Sequence, residues 1–346
     1  MAIYIITILL ATLLSYAIQS RKKIEKKDYF RLFLLFILIV GLAFIVGYRF
    51  NVGTDFGGYK RMFAIYRNYS WREIFKLKEP GIRIIIKLCS YLTNDYSFYM
   101  FICALITTGI PIVILYKHSE NFTFSMILYL CVVYLSQCNG MRQALAMSII
   151  FMGYKYIKNK KFWIFIIFPL IASIFHVSAL FVIPIYFIYT SKPGWLTALI
   201  IIIATLLMRF SYDFLARAVS FFTEEEFVET SYTKQSVNIL RIVAMVAPIV
   251  LVIPFNKKTL QEQSLSYNLI LANACVYICM GGSAYFARLG MFTDMFLCFA
   301  IPSLVAKYNS KDKGLVLFII ITCYLAYFIA NTMMAGNLVP YQSVLW

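Results

Sequence analysis

Long apolar segments separated by short charged turns occupy almost the whole sequence. Apolar residues make up 62% of the chain and charged residues 14%, with a mean hydropathy of +0.79, whereas an ordinary soluble domain has about half and about a quarter. A helix needs about 20 apolar residues to cross a bilayer. The pattern excludes a soluble domain and predicts one all-α polytopic membrane domain, a helical bundle over residues 1–346. The twelve predicted spans are 2–18, 32–48, 97–116, 122–138, 142–157, 162–175, 177–190, 195–210, 239–255, 266–282, 289–305 and 315–331.

The first predicted span indicates how the bundle is oriented. No basic residue precedes it, and a basic cluster follows at residues 21–27. Since Lys and Arg are retained in the cytoplasm, this span should run from outside to inside. We expect it to stay as an anchor, because no small-residue cleavage site follows it. Twelve crossings then place both termini outside, together with two long hydrophilic segments at 49–95 and 211–238.

An amphipathic helix is predicted inside the first of these segments. It runs from Ile82 to Leu92 after a Pro80-Gly81 turn, with Arg83 and Lys87 on its polar face. A helix of this kind lies in the membrane interface and does not cross the bilayer.

Lysine and arginine are distributed to opposite sides of this topology. Fifteen of 20 lysines are cytoplasmic, but only two of 12 arginines are, although topogenic bias acts on both. Guanidinium binds phosphate bidentately and stays charged, so an outer cluster fits a pyrophosphate-binding face. Pairing with lipid headgroups or acidic side chains is the alternative for most of them. Arg142, Arg241 and Arg288 begin or end an apolar span and should face the bundle interior. The remaining outer arginines are Arg49, Arg61, Arg67, Arg72, Arg83, Arg209 and Arg217.

The densest polar motif follows the second span and reads Arg49-Phe-Asn-Val-Gly53-Thr-Asp55-Phe-Gly57-Gly58-Tyr59. Its three glycines permit positive φ and close backbone approach, which would fix Asp55 beside Arg49 and Tyr59. The structural alternative is that Asp55 caps a helix or pairs with Arg49. Because the segment leads into a Glu79-Pro80-Gly81 turn, we interpret it as part of a site.

A second polar motif, Gln137-Cys-Asn139-Gly140-Met-Arg142-Gln143, joins two spans at the outer side. A helix that starts here would direct its N–H groups toward an anion. Arg142 in its first turn opposes the helix dipole, so a negative group must offset it. A polar Asn-Gly turn is the alternative, and the unbalanced arginine favours a binding site.

Two isolated residues complete the set. His176 interrupts an apolar run, where a histidine is usually partnered and often functional, and its chemistry suits a general base; a hydrogen bond to a helix carbonyl is the alternative. Arg288 follows Tyr285 at the outer end of a span, and a pair with Asp294 is its structural alternative. No Walker loop, dinucleotide fingerprint or zinc motif is present, so we expect neither a cofactor nor a metal.

The order of these motifs resembles the EpsG-like branch of the Wzy family, the polymerases of bacterial exopolysaccharide, capsule and O-antigen repeat units. The resemblance covers roughly residues 45–295. It rests on Arg49-x3-Gly53-x-Asp55-x3-Tyr59, Glu79-Pro80-Gly81, Arg142-Gln143-x-Leu-Ala146, Phe175-His176-x-Ser178-Ala179 and the isolated Arg288.

This resemblance implies a glycosyltransferase of the bacterial cytoplasmic (inner) membrane. The enzyme would extend a glycan on undecaprenyl pyrophosphate by one lipid-linked repeat unit, on the periplasmic or outer face. Its partners would be these lipid-linked oligosaccharides and the bilayer, with a chain-length regulator and a flippase as candidate protein partners and no nucleic acid.

In such a reaction an acceptor hydroxyl attacks the anomeric carbon and the lipid pyrophosphate leaves. Our candidate catalytic residues are His176 as base, Asp55 as the second choice of base, and Arg142 and Arg288 as stabilisers of the developing charge. The candidate substrate-binding residues are Arg49, Tyr59, Glu79, Arg83, Gln137, Asn139, Gln143, Arg241 and Tyr285.

Three other functions fit parts of the pattern. A flippase of lipid-linked glycans would show inverted repeats and charges along a path through both leaflets. An O-antigen ligase-type transferase would differ in its acceptor, and a membrane acyltransferase commonly carries one intramembrane histidine. The arginines on one side and lysines on the other favour a one-sided site, and hence the polymerase.

Overall fold

The computed structural model describes residues 1–22, 28–194, 238–280, 288–334 and 336–345, together with residues 197, 199, 201, 203, 205 and 207. In these residues the chain folds into helices joined by short turns, and one isolated β-bridge joins Arg49 to Ser343. The α-helices are α1 (Ala2–Lys22), α2 (Tyr29–Gly47), α3 (Phe56–Tyr66), α4 (Trp71–Lys76), α5 (Gly81–Ser90), α6 (Tyr96–His118), α7 (Phe122–Val132), α8 (Met141–Met152), α9 (Tyr154–Lys158), α10 (Phe162–Phe165), α11 (Ile167–Ser173), α12 (Val182–Thr190), α13 (Ile239–Val246), α14 (Lys257–Glu262), α15 (Ser264–Met280), α16 (Met291–Val305) and α17 (Ser310–Met334). Short 3₁₀ helices lie at Tyr134–Cys138, Val177–Phe181, Ala247–Val252 and Arg288–Gly290.

Five helical stretches in the described residues are long and apolar enough to cross a membrane. They are α1, α2, α6, α16 with the 3₁₀ turn before it, and α17. The other predicted spans coincide with apolar helices of 10–17 residues, except 195–210, most of which lies outside the described residues. The all-helical fold is therefore confirmed, and within the described residues five of the twelve predicted spans have helices of full spanning length.

Helix starts in the turns are fixed by short polar side chains. The Asp28 carboxylate accepts from the Arg31 N–H at the start of α2 and pairs with Arg21 Nε at 2.6 Å. Asp95 caps α6 and Asn121 caps α7 in the same way. Such caps satisfy N–H groups that have no partner within the helix.

Helix α16 forms the centre of the bundle. Fourteen of the fifteen residues of α16 are buried, and α16 packs against α7, α8 and α15. By contrast, only 22% of the α17 span is buried, so α17 lies at the periphery. The α2–α6 contact is especially close, because a Cβ on Gly47 would lie 2.5 Å from Phe101 Cα.

The chain termini meet at one end of the bundle. Tyr4 Oη, near the start of α1, donates to the Leu338 carbonyl at 2.8 Å. The loop after α2 pairs with the same C-terminal segment, since the Gly53 N–H donates to the Asn337 carbonyl at 2.7 Å. The start of α1, the 49–95 segment and the C-terminal segment therefore share one end.

At the opposite end, the ends of α6, α9, α12 and α14 surround a polar cavity of about 380 Å³. Ser303 Oγ lies 2.9 Å from Gln263 Oε1 and 3.3 Å from Glu120 Oε1 there. Lys158 and Lys160 contribute to the rim of this cavity.

The predicted amphipathic helix is present as α5, but its polar face differs from the prediction. Ile82 and Ile86 are buried against α3 and α6, as an apolar face requires. Arg83, predicted to face solvent, is only 3% exposed. Its guanidinium turns back onto the preceding loop and donates to the carbonyls of Lys78 and Glu79.

Candidate active site

Glu79 joins three segments that are far apart in sequence. Its Oε2 accepts from Arg142 Nη1 at 2.7 Å, and its Oε1 lies 3.0 Å from His176 Nδ1. Oε1 also accepts the Val177 backbone N–H at 2.7 Å. We call Glu79, Arg142 and His176 the Glu79 triad. The structure thus brings together residues from three of the predicted motifs.

The turn that carries Glu79 is held by Arg83. Glu79 has a φ of 51°, a left-handed conformation that costs a non-glycine residue about 1–3 kcal/mol. Arg83 Nη1 donates to the carbonyls of Lys78 and Glu79, the latter at 3.0 Å. The guanidinium also lies over the Tyr66 ring, 4.8 Å from its centroid. Arg83 was predicted to bind substrate, but its contacts give it a structural role.

The two turns of the triad pack directly on each other. The Gly81 N–H donates to the Ile174 carbonyl at 2.9 Å. A Cβ on Gly81 would lie 2.7 Å from Phe175 Cδ1, so only glycine permits this approach. The Glu79-Pro80-Gly81 and Phe175-His176 motifs are therefore two halves of one contact.

Arg142 lies in the first turn of α8, as predicted. Gly140 precedes the helix and offers no side-chain cap. Instead Tyr59 Oη accepts the Met141 N–H at 2.8 Å. Arg142 opposes the helix dipole, and the Glu79 carboxylate supplies the negative charge that offsets it. Tyr59 is only 5% exposed, so it caps the helix instead of binding substrate as predicted.

The Gly53 loop docks on the segment before α8. Gly53 has a φ of 90°, and a Cβ there would lie 2.5 Å from the Cys138 carbonyl oxygen. Asn139 Oδ1 accepts the Thr54 N–H at 2.7 Å, so Asn139, a predicted substrate ligand, also anchors this loop. Gly57 and Gly58, in contrast, are ordinary residues of α3 with nothing near their Cβ positions.

Asp55 lies near this centre but outside the triad. Its carboxylate is partly exposed, accepts from Thr54 Oγ1 at 3.1 Å and caps no N–H of α3. Burial raises the pKa of the Tyr59 hydroxyl, with Asp55 adding to the effect and Arg142 opposing it. The charges of Asp55 and Arg142 therefore act in opposite directions on one buried hydroxyl.

Two other predicted substrate ligands, Arg49 and Gln137, are buried and form their hydrogen bonds within the protein. Arg49 is 1% exposed and donates to the carbonyls of Val46, Val52 and Cys138 at 2.5, 3.1 and 3.4 Å. It does not pair with Asp55 in a hydrogen bond or ion pair that the described residues show. Gln137 accepts from Thr107 Oγ1 at 2.5 Å and donates to the Tyr134 carbonyl at 2.8 Å. Neither side chain is presented to a substrate.

Arg288 lies beside the start of α8, close to Gln143. Gln143, next to Arg142 in sequence, donates from Nε2 to the Arg288 carbonyl at 2.5 Å. A Cβ on Gly140 would lie 3.7 Å from Met291 Cε. The start of α8 and the start of α16 are therefore adjacent, and Arg288 is partly exposed there. Gln143 joins the two segments, and Tyr285 lies outside the described residues.

Asp294 forms an ion pair with Arg241, whereas the structural alternative weighed in the sequence analysis was a pair with Arg288. Arg241 Nη2 lies 3.6 Å from Asp294 Oδ2 and 2.9 Å from Tyr277 Oη. Tyr277 Oη in turn donates to the Asp294 carboxylate at 2.7 Å, and Asn273 Nδ2 donates to the same carboxylate at 2.8 Å. Tyr277 packs on Gly290, where a Cβ would lie 2.5 Å from the ring. Arg241 is thus fixed close to the Arg288–Gly290 turn by Asp294 and by Tyr277, which the sequence analysis missed.

Glu79 is ionised at neutral pH. Burial raises the pKa of its carboxyl, but the hydrogen bond from His176, the electrostatic interactions with His176 and Arg142, and the Val177 N–H outweigh burial and lower the pKa below its usual value. No group of three metal-ligating side chains occurs in the part of the chain that the structure describes. The centre therefore combines one carboxylate, one imidazole and at least one guanidinium.

Comparison with known proteins identifies the family. A sequence model of the EpsG family matches residues 32–343, which is most of the chain and includes every motif above. No curated protein and no solved structure matches the chain. The EpsG family is a glycosyltransferase-type polymerase family with a role in membrane polysaccharide synthesis. On the strength of this match over 32–343, the chain belongs to the EpsG family.

Proposed function

We propose that this protein polymerises oligosaccharide repeat units carried on undecaprenyl pyrophosphate, at the extracytoplasmic face of the bacterial cytoplasmic membrane. The observation that carries the proposal is the Glu79 triad, in which an imidazole and a guanidinium share one carboxylate. Arg142 and His176 are 30% and 25% exposed, whereas Glu79 is 6% exposed. A substrate would therefore meet the base and the cation.

The proposed topology has twelve crossings with both termini outside. It is supported by the shared end of α1, the 49–95 segment and the C-terminal segment, and by the lysine-rich turns at the opposite end. Lysine is retained on the cytoplasmic side, so the triad would face outward. Large apolar side chains on α4 and α5 remain exposed, as a helix pair in the membrane interface requires; they include Phe75 and Leu88.

The reaction would exchange one anomeric bond for another. An acceptor sugar hydroxyl attacks the anomeric carbon of the lipid-linked chain and forms the new glycosidic C–O bond, while the bond to the pyrophosphate oxygen breaks. His176 takes the hydroxyl proton and later passes it to water, with Asp55 as the second candidate base. Undecaprenyl pyrophosphate leaves with the bonding electrons. Arg142 and Arg288, with Arg241 assisting, stabilise its developing charge.

Complementation of a deletion strain tests this proposal. The wild-type chain should restore a ladder of glycan lengths, and Arg142→Ala or His176→Ala should leave glycans of a single repeat. Arg72→Ala is the matched control, because Arg72 is an exposed arginine of α4 in the same segment. Full-length polymer from both variants would contradict the mechanism. Loss of all surface glycan in the deletion strain would favour the flippase or the ligase instead.

A further inference from the structure

We propose that Glu79 is the positioning residue of this reaction centre: one oxygen sets the tautomer of His176, and the other orients Arg142. The inference rests on the proposed function for its catalytic meaning, but its structural part can be tested without any activity. It replaces the predicted role of Glu79 as a substrate ligand, because both carboxylate oxygens are already bound within the protein.

The Oε1 atom determines which nitrogen of His176 is basic. A carboxylate can only accept hydrogen bonds, and Oε1 lies 3.0 Å from His176 Nδ1. In the neutral imidazole Nδ1 must therefore carry the proton, which leaves the lone pair on Nε2. A carboxylate that fixes an imidazole in this way also stabilises the imidazolium formed during proton transfer.

The Oε2 atom orients the guanidinium. Arg142 Nη1 donates to it at 2.7 Å, which holds a long side chain at the N-terminus of α8 where the helix dipole alone would repel it. The base and the cation are thereby fixed at a set separation. Such fixed charges stabilise a transition state more than mobile ones, because no reorganisation is needed at the moment of reaction.

Nitrogen NMR of the imidazole directly tests whether Glu79 sets the tautomer of His176. The chain has only two histidines, so His118→Gln leaves His176 as the single imidazole in ¹⁵N-labelled protein purified in detergent. At a pH where the ring is neutral, we expect the Nδ1–H tautomer, and Glu79→Ala in the same background should abolish that preference. An Nε2–H tautomer in the unmutated site would overturn the proposal.

Kinetics of polymerisation test whether Glu79 orients Arg142. Glu79→Gln keeps the shape and an acceptor for Val177 and His176 but turns an N–H₂ group toward Arg142. We expect the polymerisation rate to fall by about 10- to 100-fold, within the range of a lost electrostatic contact. The two variants Glu79→Gln and Arg142→Ala should be non-additive, as residues in one network are. Glu73→Gln, an exposed glutamate that caps α4, is the matched control.

The outcomes separate the two proposals. An Nε2–H tautomer of His176, or additive losses in the double variant, would make Glu79 merely structural and overturn the inference. A wild-type protein that forms no polymer would contradict the proposed function, while the NMR result would still decide what Glu79 does to His176.

Discussion

The arginines at this end of the bundle divide into two groups by what their guanidinium groups contact. Arg49 and Arg83 are 1% and 3% exposed and donate to backbone carbonyls. Arg142 and Arg241 are partly exposed and lie beside carboxylates. The sequence analysis placed all four in the substrate site, Arg142 as catalytic and the others as ligands, because an arginine that binds carbonyls cannot be told from one that binds a ligand by residue type. Only the position of Arg142 in a helix N-terminal turn predicted its negative partner.

The two groups should respond differently to truncation. Arg49→Ala leaves three carbonyls without their donor in a buried loop, at about 1–3 kcal/mol for each unsatisfied group. We expect a destabilisation of about 3 kcal/mol or more, seen as a lower Tm and reduced yield in detergent. Arg142→Ala should change Tm little, since its side chain is partly exposed and Glu79 keeps its bonds to Val177 and His176. Equal shifts for both variants would contradict this division.

At the scale of elements, the bounds of the helices could be predicted from the sequence better than the contacts between them. Apolar runs predicted α1, α2 and α6 closely, because helix length is set by the apolar run and its polar caps. The contact between Gly81 and Phe175 could not be predicted, since the two motifs are almost one hundred residues apart and each reads as an ordinary turn. The partner of Asp294 was missed for the same reason: Arg241 is distant in sequence, and Tyr277 reads as one aromatic residue among many.

Glycines in the first motif provide a test of the local geometry. Gly53→Ala should destabilise the protein, because its φ of 90° strains a side chain by about 1–2 kcal/mol and the new Cβ would meet the Cys138 carbonyl. Gly57→Ala should be neutral or stabilising by up to about 1 kcal/mol, as it lies in α3 with open space around it. Thermal denaturation of both variants measures the difference, and a reversed order would refute the loop geometry.

At the scale of the whole molecule, the bundle has chemically different ends. One end combines the Glu79 triad with Arg241 and Arg288, and the other carries a polar cavity with Lys158 and Lys160 at its rim. The sequence predicted this asymmetry from charge counts alone.

Labelling of intact cells tests the proposed orientation. Asn68 and Lys160 are both exposed and lie at opposite ends of the bundle. A membrane-impermeant maleimide should label Asn68→Cys, and it should label Lys160→Cys only after the cells are opened. The unmodified chain serves as the control for its native cysteines. Labelling of Lys160→Cys in intact cells would place the triad on the cytoplasmic side.

Reconstitution tests the central claim most directly. Purified protein in liposomes would be given a defined undecaprenyl-pyrophosphate-linked repeat unit, and both polymer length and released undecaprenyl pyrophosphate would be measured. We predict one released lipid pyrophosphate for each new glycosidic bond, and a loss of about 10²- to 10⁴-fold in rate for His176→Ala, the range for removal of a positioned base. Wild-type protein that releases no lipid pyrophosphate, or a His176→Ala variant that polymerises at the wild-type rate, would contradict the account.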